Sequence, residues 1–303
     1  MKITCFSDLV TEAKTRKSVI AVVNAHEQHT LEAVLHAKRE GISDAILTGD
    51  AKTIRAIISA HGDDTSAFEI IDSPDKEHAL FSAMDAIKSG RANNLMKGGI
   101  ETGDFLRTVL SRDNGLRGDR LLSVIGLYET KSYHKLFAVS DFAMNIAPTL
   151  EEKKSIIENA AGLLLNLGID APKIAVLSET ERLNPKISAS VDAAALKRMW
   201  KDGWLPGCIL EGPIAFDLAM DKEAAETKHF ESPVAGDADL LVVPDIVAGN
   251  IFVKSLTTLA GAITAGIVLG AKIPVILSSR SATVDDKYYS IALAAASAYA
   301  HGK

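Results

Sequence analysis

The residues best equipped for chemistry lie near the carboxyl end of the chain, where Ser279 and Arg280 are followed by Asp285 and Asp286. A hydroxyl, a guanidinium and two carboxylates in one short stretch are groups that can bind an anion and move a proton. A carboxylate can accept the proton. The guanidinium can hold an anionic ligand through two parallel hydrogen bonds. The same residues also fit a plain surface turn, with Asp285 or Asp286 starting a last helix over residues 286–300 and Arg280 in an exposed ion pair worth little. The stretch by itself leaves both readings open.

Such a site needs elements to hold it. Residues 273–277 form an apolar, β-branched run of the kind that fills a parallel strand covered on both faces. Ser279 then falls at the carboxyl end of that strand, where open α/β sheets bind ligands. Upstream, residues 18–24, 45–49, 68–71 and 94–99 read as strands, and helical patterns follow them over residues 30–40, to Ala60, and over 74–88. Asp50 is placed to cap the second of these helices. Strands alternating with helices of about a dozen residues imply parallel βαβ units.

Between residues 121 and 138 the rhythm changes, because two β-like runs, 122–127 and 135–139, are separated only by a polar loop. We place a crossover between two domains there, with residues 1–130 plus 281–303 forming one and 131–280 the other. At roughly 150 residues per domain, a chain of 303 residues fits two. Thr149 and Glu152 form a capping box before a helix closed by Gly168. Strands at 174–177, 208–210 and 239–243 and a helix at 191–200 make the second half α/β as well. The expected architecture is two α/β domains with a central cleft.

Three further stretches could bind a ligand. Lys97, Gly98 and Gly99 end a strand and offer bare backbone beside one ammonium, a mixture that suits phosphate; tight turns want glycines too. Gly249 and Asn250 read as the opening of a long helix, either an anion seat of free N–H groups or an ordinary connection capped by Asn250. Pro213 suits the first turn of a helix. His26 and His29 lie three apart at a helix start and lack the further ligands of a metal site, so they read as solvated or capping. Neither a dinucleotide fingerprint nor a P-loop nor a G-x-S-x-G elbow is present.

The net charge of −6 and the lack of a basic block argue against a nucleic-acid partner. Two cysteines, Cys5 and Cys208, are too few for a disulfide framework and fit a reducing cytoplasm. Residues 1–8 reach an acid before any apolar signal segment builds up. Residues 259–277 are long and nearly uncharged, but Lys272 and Pro274 interrupt them where a helix would hand over to a strand, so no membrane span is expected.

Over nearly its full length the chain resembles the phosphate acetyltransferase and phosphate butyryltransferase family. The resemblance is carried by Leu95-Met-Lys-Gly-Gly-Ile100, Gly115-Leu-Arg117, Asp141 with Asn145-Ile-Ala-Pro148, and Asn184-Pro-Lys186. It continues in Gly212-Pro-Ile-Ala-Phe-Asp217, Pro244-Asp-Ile-Val-Ala-Gly-Asn250 and Ser279-Arg280. Short length, the Leu-Met-Lys-Gly and Gly-Leu-Arg motifs, and Ser290-Ile-Ala-Leu293 look more like the butyryl branch.

What the resemblance implies is an isocitrate/isopropylmalate-dehydrogenase-like fold without metal or nicotinamide, in a homo-oligomer. The implied reaction moves a short acyl group directly between CoA and phosphate, with CoA a substrate and no cofactor. Ser279 would hold the thiol and Arg280 the phosphoryl group. An Asp seven residues after the Ser would be the base, which counts to Asp286, with Asp285 adjacent and the choice open. Lys97, Gly98, Gly99, Thr102, Arg117, Pro213, Gly249, Asn250 and Lys254 would contact substrate. An acetate or butyrate kinase would be the metabolic partner. An acetyl-CoA enzyme is the alternative, followed by a non-catalytic CoA or acyl-phosphate binder; a metal-dependent dehydrogenase on the same fold would need a cluster of carboxylates.

Overall fold

The computed structural model describes residues 3–109, 111, 116–279 and 282–297. The chain divides into two α/β units, Phe6–Arg120 with Thr264–Lys303, and Met1–Cys5 with Leu121–Ile263. The sequence reading put these boundaries at 130/131 and 280/281.

The first unit runs α1 (Phe6–Ala13), β1 (Val19–Val23), α2 (Gln28–Arg39), β2 (Asp44–Gly49), α3 (Ala51–Ala60), β3 (Glu69–Asp72), α4 (Lys76–Lys88), β4 (Asn94–Lys97) and α5 (Thr102–Val109). Its order is β3-β2-β1-β4 and parallel throughout, with Ala21 opposite both Ile46 and Leu95. β1, Val-Ile-Ala-Val-Val, is buried from Ile20 onward, as a central strand covered on both faces must be. Asp50 does cap α3, accepting from the N–H groups of Lys52 (3.0 Å) and Thr53 (3.4 Å), and Asp75 caps α4 in the same way.

The second unit contains β5 (Ser123–Glu129) and β6 (Phe137–Ser140), an antiparallel pair where the change of rhythm was read, then α6 (Leu150–Asn166), β7 (Lys173–Leu177), α7 (Ser188–Lys201) and β8 (Ile209–Ile214). It ends with α8 (Phe216–Met220), α9 (Lys222–Thr227), β9 (Leu240–Val242) and α10 (Ile246–Thr258). Its order is β5-β6-β9-β7-β8, parallel from β6 onward. The Thr149–Glu152 capping box is made in both directions. At the amino edge of its parallel strands, Asp237 accepts from Lys135 at 2.7 Å, from His134 Nε2 at 2.9 Å and from Lys173, tying the starts of β6 and β7 together.

The chain then adds β10 (Ile263–Leu269), β11 (Val275–Ile276) and α11 (Val284–Ser297). β11 is parallel to β4, with Val275 opposite Leu95, and antiparallel to β10. Residues 263–269, read from sequence as helix, are therefore strand: Gly261, Gly266 and Gly270 break up a helix, and Ile263, Ile267 and Val268 favour β structure. α11 is buried along most of its length and packs against α1 and α2. Among the described residues no helix is long and apolar enough to cross a membrane, and neither cysteine is in a disulfide.

Candidate functional site

In the first unit, successive strands run outward from β1 to β2 and β3, while β4 lies on the other side of β1. The loops after β1 and β4 therefore part at a topological switch point, which opens a crevice at the carboxyl ends of the strands. β11, parallel to β4, delivers its own carboxyl end to the same edge.

A cavity of about 320 Å³ occupies that crevice. Glu27 lines it from the loop after β1, residues Lys97 to Glu101 from the loop after β4, Ser278 and Ser279 from the end of β11, and Lys287 from the first turns of α11.

Of the two readings of the Lys-Gly-Gly segment, phosphate cradle or tight turn, its backbone hydrogen bonds match the tight turn. Gly98 N–H donates to Val23 O and Gly99 N–H to Asn24 O, each at 2.9 Å. Those donors are consumed between the two loops. The glycine at position 98 is required by this close approach, since a Cβ there would stand 2.5 Å from Val23 O and 2.7 Å from Asn24 O. The Lys97 ammonium, on a residue only 6 % exposed, is held by the carbonyls of Gly98 and Ile100 at 3.1 Å each. Asn24, buried with φ +55°, completes the turn by donating its amide to Gly99 O at 2.6 Å.

Lys287 is 1 % exposed. Its ammonium donates to Glu27 Oε2 at 2.8 Å and to Thr30 Oγ1 at 3.2 Å. Burial pushes the Glu27 carboxyl up, but the hydrogen bonds from Lys287 and Thr30 outweigh it and hold the group below its ordinary value.

Asp286 lies in a second capping box, at the start of α11. Its Oδ2 accepts from Thr283 N–H at 3.0 Å while Thr283 Oγ1 accepts from Asp286 N–H at 3.1 Å, and its Oδ1 accepts from Thr264 N–H at 3.3 Å. Asp285 is exposed. Neither lines the cavity. Ser279 does, and is itself exposed, whereas Arg280 lies outside the described residues. Thr102 is the exposed first residue of α5, and Arg117 is exposed in an isolated bridge to Ala271.

Pro213, Gly249, Asn250 and Lys254 belong to the other unit. Pro213 is buried near the end of β8, and Ala215 precedes helix α8, so the proline is outside the helical turn expected for it. α10 opens at Ile246 under Asp245, whose side chain accepts from Ala248 N–H at 2.9 Å. Gly249 and Asn250 thus sit inside the helix, and Gly249 N–H bonds Asp245 O at 3.0 Å. The stretch is therefore neither a seat of free N–H groups at Gly249 nor a helix start capped by Asn250. Gly249 instead allows the helix to pack on Phe142 and Val243, atoms of which lie 2.8 to 2.9 Å from where a Cβ would be. Asn250 is half-buried and Lys254, one turn on, is exposed.

Three features of the site went unread in the sequence. Glu27 sits in the His26–His29 segment, whose histidines were read for themselves. His26 departs from its reading as well, because its Nδ1 is buried without a partner among the described residues. Lys287 carried a signal: it stands one turn before Ile291 on a helix that is otherwise apolar there, and a lone ammonium on a buried face needs a partner.

The sequence profile described as phosphate acetyl/butaryl transferase matches residues 75–295. The chain is 38% identical over 291 residues to a phosphate butyryltransferase of Clostridium acetobutylicum, covering 96% of this chain and 97% of that protein. It is also 38% identical over 287 residues to a phosphate acetyltransferase of Thermotoga maritima, covering 95% and 97%. Among solved structures, a branched-chain phosphotransacylase from Enterococcus faecalis V583 matches with a TM-score of 0.84 at 31% identity, over 93% of this chain and 99% of that one.

Proposed function

Since the chain belongs to the phosphate acetyl/butaryl transferase family and is an acyltransferase, we propose that it exchanges a butyryl or branched short-chain acyl group between CoA and inorganic phosphate. The observation that carries this reading is the cavity at the β1–β4 switch point, with Ser279 on its rim and two buried lysines in its wall. Arg280, next to Ser279 in the chain, would hold the phosphate.

In the direction of acyl phosphate, a phosphate oxygen adds to the thioester carbonyl carbon, the C–S bond breaks, and the leaving sulfur takes a proton from the acid form of the base. In reverse, an aspartate takes the CoA proton, sulfur attacks the acyl-phosphate carbonyl, and the C–O bond breaks to release phosphate onto Arg280. A thiol of pKa about 8.5 is mostly protonated at neutral pH, which is why a carboxylate is wanted. Asp286 or Asp285 is the proposed base. CoA is a substrate here, and the positive charge on phosphate comes from side chains without a metal or other cofactor. Thr102, Arg117, Pro213, Asn250 and Lys254 are assigned to substrate through the family motifs.

The branched-chain phosphotransacylase supports a longer acyl group than acetyl. Acetyl transfer is the second reading, favoured by the equal identity to the Thermotoga maritima acetyltransferase. Each methylene in an apolar pocket is worth only about 1–3 kcal/mol, so a panel decides it. Release of CoA thiol is followed with acetyl-, butyryl- and isobutyryl-CoA in the presence of phosphate. A higher kcat/KM for the four-carbon substrates supports the proposal, a preference for acetyl-CoA selects the second reading, and no release from any of them removes both.

We also propose a cytoplasmic homo-oligomer. Val247 (63 % exposed) and Ile251 (62 %), one turn apart on α10, offer an apolar face for a second copy. A Val247→Lys, Ile251→Lys double variant sedimenting as a smaller species than the parent would support it.

A further inference from the structure

We propose that Lys287 is a catalytic residue of the acyl transfer, its Nζ donating a hydrogen bond to the acyl carbonyl oxygen as that oxygen becomes an oxyanion. The proposal rests on the reaction read above and adds to it the group that meets the developing charge.

The geometry points there in three steps. First, the ammonium is almost wholly buried, in the wall of the same cavity that carries Ser279. A buried charge costs several kcal/mol unless it is paired, and an apolar side chain at this helix position would simply have packed. Second, Nζ is fixed: Glu27 Oε2 and Thr30 Oγ1 take two of its three N–H groups, and the third has no partner among the described residues. Third, Glu27 makes the pair neutral overall. A neutral pair attracts a phosphate dianion weakly in the ground state. It does present a directed, water-poor N–H to an oxygen that is uncharged in the bound thioester and negative only after attack. That is the condition under which a hydrogen bond lowers the barrier rather than merely tightening binding.

The step balances within the acyl transfer proposed above. When the phosphate oxygen bonds to the carbonyl carbon, the π pair of the C=O moves onto oxygen, where Lys287 donates without giving up its proton. The pair returns as the C–S bond breaks and sulfur takes its proton from the base.

A purely structural Lys287, tying α11 to the start of α2, makes a different prediction, and kinetics separate the two. In the thiol-release assay, Lys287→Met is expected to lose about 100-fold or more in kcat, with KM for acyl-CoA and for phosphate within about three-fold of the parent. Lys287→Ala is expected to regain turnover with added ethylammonium and not with tetramethylammonium, which has the charge but no N–H. Thr30→Val, close in shape, removes one of the two bonds that aim Nζ and should lower kcat several-fold without moving KM. A Lys287→Met kcat within about three-fold of the parent, a loss confined to KM, equal response to the two ammonium ions, or an unchanged Thr30→Val would each overturn the role. Should Lys287→Met fail to fold, the rescue series and Thr30→Val still decide. A parent that releases no thiol would instead overturn the reaction itself.

Discussion

The Lys287 ammonium meets the Glu27 carboxylate at 2.8 Å across 260 residues of chain. The contact joins the first turns of α11 to the loop after β1, two walls of one cavity. It forms because α11 lies against α2, at whose first turn Thr30 supplies the second oxygen.

Arg280→Ala should lower kcat by about 100-fold or more and raise KM for phosphate, since a bidentate guanidinium serves both binding and charge development. Steady-state kinetics with butyryl-CoA and varied phosphate check this; near-parent values would take Arg280 out of the site.

The two aspartates at the start of α11 should part company in stability as well as in rate. Asp286→Asn weakens a capping box and is expected to cost about 1 kcal/mol in a denaturant melt, because its two oxygens accept from Thr283 and Thr264 N–H. Asp285 is exposed, and Asp285→Asn should stay within about 0.5 kcal/mol. In kinetics, only the variant lacking the base should collapse kcat while keeping CoA affinity. If both variants retain kcat, neither aspartate takes the thiol proton.

Gly98→Ala should destabilise the first unit by about 1–3 kcal/mol, because the new methyl would meet Val23 O at 2.5 Å. Relief requires the loops after β1 and β4 to separate, so activity should fall with stability. A melt unchanged from the parent would show that the turn yields freely.

Asp237 should make the second unit acid-labile. Burial pushes this carboxyl up, but hydrogen bonds from Lys135, Lys173 and His134 outweigh it and hold it well below the usual carboxylate range. A depressed folded-state value stabilises the protein above the unfolded pKa of about 3.9, and that contribution fades as pH falls through the folded value. Asp237→Asn should therefore be less stable than the parent at pH 7, with the gap narrowing as pH drops below about 4. Unfolding midpoints across that range test it; a pH-independent gap would assign the loss to packing.

Local rules made much of this protein readable from its residues. Alternating apolar runs and helical periods fixed the parallel βαβ class, while Asp50, Thr149 and Glu152 announced their caps through side chains that reach only a few residues. The family motifs singled out Ser279 and the Lys97–Gly99 turn, both of which line the cavity. Where short-range signals misled, the reading slipped: Gly249 and Asn250 resemble a helix start, but the Asp245 side chain accepts from Ala248 N–H and caps the helix, leaving Gly249 inside it, packed on Phe142 and Val243.

Tertiary structure alone decided how the cavity is furnished. Which loops face one another follows from strand order, β1 between β2 and β4 with β11 beyond, and that order is set by burial across the whole sheet rather than by any window of sequence. Hence the glycine N–H groups that looked available for phosphate are spent on the carbonyls of Val23 and Asn24, and although the lone ammonium of Lys287 signals a need for a partner, no window of sequence names Glu27 as that partner.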